Sequence, residues 1–308
     1  MRMAGVAEMA GIRVAVSGAA GKMGIEVVRA ILGARDMQLA AAVGGTNHIG
    51  EDAAVLAGSK PSGILIEKDL PAIFANKDQK IDVVVDFTKP NAVMSNIKAA
   101  LEGRAAVIVG TTGITSVDLD QIREWSLHYQ NPVLVAPNFA VGAVLMMHCA
   151  AFAAQYMNEV EIIELHHDQK KDAPSGTAIK TAEMVLAAKE RRQTIGSAST
   201  PASASMPAPA PASGPASASV SAPVGSEKIG GVRGGELGGI HLHSIRLPGL
   251  IAHQEVIFGD LGQTLTIRHD STSRESFMPG VLLAIRKIRD HHGLIYGLDK
   301  IMGLPEPG

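Results

Sequence analysis

Apolar residues follow two alternating patterns in the first half of the chain. Near-continuous apolar runs, as at 12–16, 81–87 and 105–109, predict strands that are buried on both faces of a parallel sheet. The segments that follow them carry apolar residues at helical spacing, as at 25–32. This alternation of strand and helix predicts a doubly wound α/β domain.

A glycine-rich turn joins the first predicted strand to its helix. Residues 17–24 read Ser-Gly-Ala-Ala-Gly-Lys-Met-Gly. A turn of this kind between strand and helix is typical of Rossmann-like domains, where backbone N–H groups bind the pyrophosphate of a dinucleotide. Three further strand ends, at 87–88, 110–112 and 136–139, are expected along the same edge of the sheet, where nucleotides bind in such folds.

The second predicted strand, 37–43, lacks the acid that usually follows it. Gly44 and Gly45 stand where a carboxylate would bind the ribose, and no neighbouring arginine or lysine is in place to attract a 2′-phosphate. The choice between NADH and NADPH is therefore left open.

The second half of the chain has a different pattern. Its strands alternate apolar and polar residues, which predicts a sheet that packs on the core with one face. They are predicted at 160–165, 241–247, 253–258 and 263–269. With helices at 177–192 and 276–288, they predict an α+β domain with an open mixed sheet, and the last helix is expected to pack back on the first domain.

These patterns give the predicted domain boundaries. Residues 1–138, completed by 274–308, form the dinucleotide-binding domain, and 139–273 form the substrate-binding and oligomerisation domain. Within the latter, 193–226 is predicted to be a flexible insertion. Its central part, 197–223, contains 9 Ala, 8 Ser and 6 Pro and cannot bury enough apolar area to offset the entropy of ordering it.

The densest group of titratable side chains lies between the strand at 160–165 and its helix. Residues 166–177 read His-His-Asp-Gln-Lys-Lys-Asp-Ala-Pro-Ser-Gly-Thr. Backbone N–H groups at Gly176 and Thr177 would favour a carboxylate or phosphate, and the lysines add positive charge. A histidine or a lysine here can deliver a proton. The plainer alternative is a solvated lysine pair after a strand end.

Composition narrows the functional classes. A net charge of −2 gives no electrostatic reason to expect nucleic acid or an anionic membrane as a partner, and no apolar stretch has membrane-spanning length.

The single cysteine, Cys149, excludes an intrachain disulfide, and its apolar surroundings predict a core residue rather than a nucleophile. His241 and His243 share a strand face, but without a nearby cysteine or acid we predict no metal site. Without a signal or transit sequence we expect a cytoplasmic protein.

On these residues the chain resembles the 4-hydroxy-tetrahydrodipicolinate reductases of lysine synthesis, the dihydrodipicolinate reductase family. The most specific element is His-His-x-x-Lys-x-Asp-Ala-Pro-Ser-Gly-Thr at 166–177. The resemblance covers nearly the whole chain except the first few residues and the Ala/Ser/Pro-rich insertion. Further matching segments are 14–24, 86–88, 109–113, 137–142, 164–165 and 233–235.

The resemblance implies a reaction and residue roles. NADH and/or NADPH would reduce a small cyclic dicarboxylate, 4-hydroxy-tetrahydrodipicolinate, with loss of water, and the protein would be a homotetramer. His166 would be a proton donor or acceptor and Lys170 a proton donor, while His167, Gly176 and Thr177 would contact the substrate. Together with the strand ends, the candidate cofactor contacts are Gly18, Ala19, Ala20, Gly21, Lys22, Met23, Phe87, Thr88, Gly110, Thr111, Thr112, Ala136, Pro137, Asn138 and Phe139.

Two other functions remain open from the sequence. One is a different dinucleotide-dependent dehydrogenase of a small amino or keto acid, although such enzymes lack the Asp-Ala-Pro-Ser-Gly-Thr loop. The other is a non-catalytic redox sensor that binds a nucleotide. The proton-donor loop and the lack of a DNA-binding element argue against a sensor.

Overall fold

The structure is a computed structural model that describes residues 11–46, 48–76, 79–198 and 227–305. Its described residues divide into two compact units, 11–146 with 269–305 and 147–198 with 227–268. Most of the predicted insertion, 199–226, lies outside the described residues, and its first six residues belong to a helix that ends at Ala198.

The strands and helices alternate along most of the first unit. In chain order the strands are β1 (Ile12–Ser17), β2 (Met37–Val43), β3 (Ile66–Glu67), β4 (Val83–Asp86), β5 (Ala106–Val109), β6 (Val133–Val135), β7 (Glu159–His166), β8 (Gly235–Leu237), β9 (Ile240–Arg246), β10 (Ala252–Asp260), β11 (Gln263–Ser271) and β12 (Leu294–Tyr296). The helices are α1 (Lys22–Gly33), α2 (Ala53–Leu56), α3 (Leu70–Ala75), α4 (Pro90–Glu102), α5 (Ser116–Tyr129), α6 (Val141–Ala153), α7 (Gly176–Ala198), α8 (Met278–Lys287) and α9 (Leu298–Met302).

The first unit is built on a parallel sheet in the order β12-β6-β5-β4-β1-β2-β3. Every residue of β4 and β5 is buried, which explains why these strands are apolar along their whole length. Helix α8 contacts α1 in this unit. Nearby, Arg286 Nε of α8 donates to Asp36 Oδ2 at 2.7 Å and holds this helix to the loop before β2.

The second unit is built on a mixed sheet in the order β11-β10-β7-β9-β8. Strand β7 runs antiparallel to β10 and parallel to β9. Helix α7 contacts β7, whose buried residues Val160, Ile162 and Glu164 alternate with half-buried or exposed ones. The predicted fold class, a Rossmann-like parallel-sheet domain followed by an α+β domain with an open mixed sheet, is therefore confirmed.

One residue was placed wrongly from the sequence. Cys149 is exposed, so its interpretation as a core side chain is wrong. Helix α6 is apolar on nearly every side, and Leu145 and Phe152, at helical spacing from Cys149, are exposed as well. Because apolar residues occur all around this helix, the sequence could not indicate which face points outward.

No helix within the described ranges combines the length and the apolar character that crossing a membrane requires.

Candidate active site

The turn between β1 and α1 is shaped by glycine. Gly18 has a φ of +81°, and a Cβ atom there would lie 2.4 Å from the carbonyl oxygen of Phe87. A Cβ on Gly24 would lie 2.0 Å from the carbonyl oxygen of Gly18. Helix α1, described over its full length, begins without a side-chain cap and without an acid in its first turn. Its N-terminal N–H groups are therefore suited to an anion such as a pyrophosphate.

A buried carboxylate joins two of the predicted strand ends. Asp86, the last residue of β4, is fully buried. Its Oδ1 accepts from the Thr88 hydroxyl and from the Thr111 hydroxyl, each at 2.7 Å, and its Oδ2 accepts from Asn96 Nδ2 at 2.7 Å. The Thr88 N–H also donates to Thr111 Oγ1 at 2.8 Å. Asp86 therefore fixes the turns after β4 and β5 relative to each other.

Aromatic rings complete this edge of the sheet. A Cβ on Gly110 would lie 2.1 Å from the ring of Phe87, and the rings of Phe87 and Phe139 are 5.6 Å apart. The structure thus brings the glycine turn and the ends of β4, β5 and β6 together, as the strand order predicts. Of the other candidate cofactor residues, Ala19 and Ala136 are buried, Ala20, Met23 and Asn138 are half-buried, and Gly21, Lys22, Thr112 and Pro137 are exposed.

Two glycines follow β2, and an acidic residue of the neighbouring strand lies next to them. Gly45 has a φ of +77°, and the Gly44 N–H donates to the carbonyl oxygen of Glu67 at 3.0 Å. In the sheet Glu67 of β3 is paired with Val43. Glu67, an exposed acidic residue, is therefore next to the end of β2 in the sheet, although it comes from the next strand.

In the second unit a buried carboxylate again organises the site. Glu164 accepts Arg246 Nη2 on Oε1 at 2.7 Å and Arg246 Nη1 on Oε2 at 2.9 Å. Its Oε1 also accepts the Ser175 N–H at 3.2 Å, and its Oε2 lies against Nδ1 of His166. Burial raises the pKa of Glu164, but hydrogen bonds from His166, Arg246 and Ser244 outweigh it and lower the pKa to about 2.

Lys170 is held by the loop that follows. Its Nζ donates to both carboxylate oxygens of Asp172, at 2.8 and 2.6 Å, and this contact lowers the pKa of Asp172. The carbonyl oxygen of Asp172 accepts Arg246 Nη2 at 2.7 Å. Arg246 thus links the Lys170 loop to Glu164.

Gly176 and Thr177, whose N–H groups are predicted to bind a carboxylate or phosphate, lie at the start of α7. Gly176 is the exposed first residue of this helix, and Thr177 is half-buried beside it. Ser175 is buried, and its Oγ accepts the Ala178 N–H at 3.2 Å. His167 is half-buried, and its carbonyl oxygen accepts the Lys170 N–H at 3.2 Å. His166, His167, Lys170, Gly176 and Thr177 therefore belong to one local cluster in the second unit.

Sequence reasoning missed the residues that organise this cluster. It assigned no role to Glu164, Arg246 or Asp172, and none to Asp86 in the first unit. A signal for Glu164 was present, because it continues the buried alternation of Val160 and Ile162. A carboxylate on the buried face of a strand needs donors around it, so that position alone indicates a polar site.

On β9, His243 contacts a different glutamate from the one that His166 contacts. His243 Nε2 lies 2.8 Å from Glu161 Oε2, and Arg233 pairs with the same carboxylate. The rings of His241 and His243 are 6.5 Å apart. Within the described part of the chain, no three His, Cys, Asp or Glu side chains are grouped so that they could hold a metal ion.

Comparison with known proteins identifies the family. Residues 12–139 match the family described as dihydrodipicolinate reductase, N-terminus, and residues 142–302 match dihydrodipicolinate reductase, C-terminus. The chain belongs to the dihydrodipicolinate reductase family. The resemblance inferred from the sequence motifs is therefore confirmed.

Individual relatives agree over nearly their whole length. The chain is 44% identical over 294 residues to the 4-hydroxy-tetrahydrodipicolinate reductase of Moorella thermoacetica, covering 96% of this chain and 99% of the relative. It is 46% identical over 291 residues to the protein of that name from Desulfitobacterium hafniense, covering 94% and 98%.

Solved structures show the same fold. The dipicolinate-bound dihydrodipicolinate reductase from Paenisporosarcina sp. TG-14 has a TM-score of 0.74 and 38% identity, covering 94% of this chain and 99% of that one. An amine dehydrogenase from Mycobacterium smegmatis, with a TM-score of 0.61 and 12% identity over 94% of this chain and 95% of that one, shares the fold alone.

Proposed function

We infer that the chain reduces 4-hydroxy-tetrahydrodipicolinate to tetrahydrodipicolinate, with loss of water and with NADH or NADPH as reductant, in the diaminopimelate route to lysine. The observation that carries this conclusion is the match of both halves to one reductase family. Two relatives of nearly the same length bear the name of this activity. A solved relative binds dipicolinate, a cyclic dicarboxylate like the proposed substrate.

The first unit fits a dinucleotide. Gly18 and Gly24 leave room for backbone where a side chain would collide, and the N-terminus of α1 faces that turn. Candidate contacts at Phe87, Thr88 and 110–112 are held at the same edge by Asp86. When bound, the reduced nicotinamide supplies the hydride to an unsaturated carbon of the substrate ring.

The second unit supplies charge and protons. We assign one substrate carboxylate to the N–H groups of Gly176 and Thr177, because the N-terminus of α7 favours an anion. His167 and Lys170 lie in the same loop and would bind the dicarboxylate from its other side. His166 and Lys170 would supply the proton that the reduction needs, and the fixed positions of these groups would lower the barrier.

A coupled assay tests the reaction. The aldol product of pyruvate and aspartate semialdehyde would be supplied, and loss of reduced dinucleotide absorbance would be followed with NADH and NADPH in parallel. We expect turnover that dipicolinate inhibits competitively. Nucleotide binding without turnover would overturn the proposal in favour of a redox sensor, whereas turnover of another amino or keto acid in a substrate panel would favour a different dehydrogenase.

Three further expectations accompany this function. We propose a cytoplasmic homotetramer assembled through the sheet of the second unit, as the family resemblance implies, and multi-angle light scattering with cell fractionation would test both points. The predicted boundaries, 1–138 with 274–308 and 139–273, remain a proposal about which segments bind cofactor and substrate. Separate binding measurements on point variants of each unit would test them.

A further inference from the structure

Glu164 lies next to the proposed proton donor on the same face of the same strand. Residues two apart on a strand point to the same side, so Glu164 and His166 are neighbours on β7. The Glu164 side chain is only 1% exposed. Water is therefore excluded from it, and its hydrogen-bond partners must come from the protein.

Among the described residues, Arg246, the Ser175 N–H and the Ser244 hydroxyl also donate to this carboxylate. The guanidinium of Arg246 contributes two N–H groups and the backbone of Ser175 contributes one. An ionised carboxylate can only accept. Nδ1 of His166, which faces Oε2, must therefore carry a proton, because a lone pair in that position would face the lone pairs of the carboxylate.

Strand pairing keeps the imidazole in this place. His166 is paired with Arg246 on β9, and Glu164 is paired with Ser244, two residues earlier on each strand. Arg246 also donates to the carbonyl oxygen of Asp172, whose carboxylate holds Lys170. The buried carboxylate thus contacts His166 directly and is linked to Lys170 through Arg246 and Asp172.

We propose that Glu164 is a positioning residue that keeps His166 protonated on Nδ1 and thereby makes Nε2 the atom that exchanges a proton with the substrate. The proposal rests on the assigned role of His166 in the reduction. In the neutral ring Nε2 holds the lone pair. In the charged ring Nε2 carries the proton to be delivered, while the proton on Nδ1 stays on that nitrogen and is donated in a hydrogen bond to Glu164. Glu164 itself remains ionised throughout.

Glu164→Gln tests this role with little change of shape. With its oxygen in the place of Oε1, the amide can still accept from the Ser175 N–H and from Arg246 Nη2. The NH₂ that replaces Oε2 donates, so it loses the hydrogen bond from Arg246 Nη1 and would pair with an unprotonated Nδ1. The ring would then carry its proton on Nε2, the wrong nitrogen for a base. Glu164→Asp keeps the charge and should recover part of the activity.

The strand offers a matched control. Glu161, also on β7, contacts one histidine and one arginine, His243 and Arg233, on the other face of the sheet. Glu161→Gln is the same substitution on the same strand with the same kinds of partner. It should change kcat by less than about twofold, because neither His243 nor Arg233 is assigned a role in the reduction and ion pairs that are partly open to solvent contribute little.

Steady-state kinetics and direct binding separate positioning from structure. For Glu164→Gln we expect kcat to fall about 100-fold or more, in the range by which proton-transfer catalysis accelerates reactions, with KM and the NADH dissociation constant within about twofold. A kcat equal to that of Glu161→Gln would overturn the proposal. So would parallel losses of kcat, substrate affinity and NADH affinity, which indicate a structural role.

The tautomer can be measured without turnover. In protein labelled with ¹⁵N-histidine, the signals of His166, assigned by their absence in His166→Asn, should at alkaline pH show a protonated Nδ1 and an unprotonated Nε2. The opposite pattern in the unmodified protein would refute the proposal even if Glu164→Gln failed to fold. If the protein showed this tautomer but no turnover of the proposed substrate, the proposed function would fail while the placement of the proton on His166 would stand.

Discussion

Strand β7 carries two clusters of the same composition on its two faces. Glu164 binds His166 and Arg246, and Glu161 binds His243 and Arg233. The Glu164 side chain is 1% exposed, whereas that of Glu161 is 35% exposed. A solvated carboxylate can exchange its partners for water, but a buried one cannot. Because it is buried, Glu164 determines which nitrogen of His166 carries the proton, whereas the chemically similar Glu161 cluster is open to water.

The two carboxyl groups also differ in their titration. Burial raises the pKa of Glu161, while His243 and Arg233 lower it with a net shift downward. For Glu164 the same opposing causes lower the pKa to about 2. The partners of the buried carboxylate thus more than offset the greater cost of removing its charge from water.

The largest difference should follow from removing the carboxylates altogether. Glu164→Leu has nearly the same volume but leaves Arg246, His166 and the Ser175 N–H without their acceptor. We expect a loss of about 3–5 kcal/mol in the free energy of unfolding, as for other broken buried ion pairs. Glu161→Leu should cost about 1 kcal/mol or less. Urea denaturation of both variants measures this, and equal losses would show that burial does not distinguish the clusters.

Lowering the pH should remove the contribution of Glu164 to the free energy of unfolding, and should affect that of Glu161 less. Its pKa is lower in the folded state than the ordinary value of 4.5, so the unfolded chain binds more protons at this site as the pH falls. The resulting stability is present above about pH 4.5 and is lost progressively toward pH 2. It amounts to about 3 kcal/mol from the size of the shift.

The control for this titration is again a glutamine variant. The difference in unfolding free energy between the unmodified protein and Glu164→Gln should shrink as the pH is lowered from 5 to 2. The same difference for Glu161→Gln should change much less. A constant difference for Glu164 across this range would contradict the lowered pKa.

Lys170 extends the comparison to activity. Its ammonium pairs with Asp172, which Arg246 connects to the Glu164 cluster, whereas Lys180 on α7 forms an exposed pair with Glu183 at 3.5 Å. Lys170→Ala should lower kcat about 100-fold while NADH binding is unchanged, because the proposed proton donor is removed. Lys180→Ala should be close to the unmodified protein in both respects. Stopped-flow turnover and fluorescence titration with NADH measure the two effects.

Much of the first unit followed from local pattern. The strand predicted at 12–16 is Ile12–Ser17, and the one predicted at 105–109 is Ala106–Val109. Helix α5 was not predicted, since exposed Val117 and Leu127 blur its apolar face. Strands β8 and β12 were missed because three residues each are too few to show a period.

The sequence by itself determined the fold class, the glycine turn, the loop at 166–177 and the family, because each is written in residues that are close together along the chain. Only the tertiary structure showed that Arg246, 82 residues after Glu164, is its partner, and that Asp86 joins Thr88 to Thr111. It also showed which of two glutamates on β7 is enclosed. The physical reason is that strand register and burial bring together residues far apart in the chain, and it is this enclosure that dictates where the protons lie.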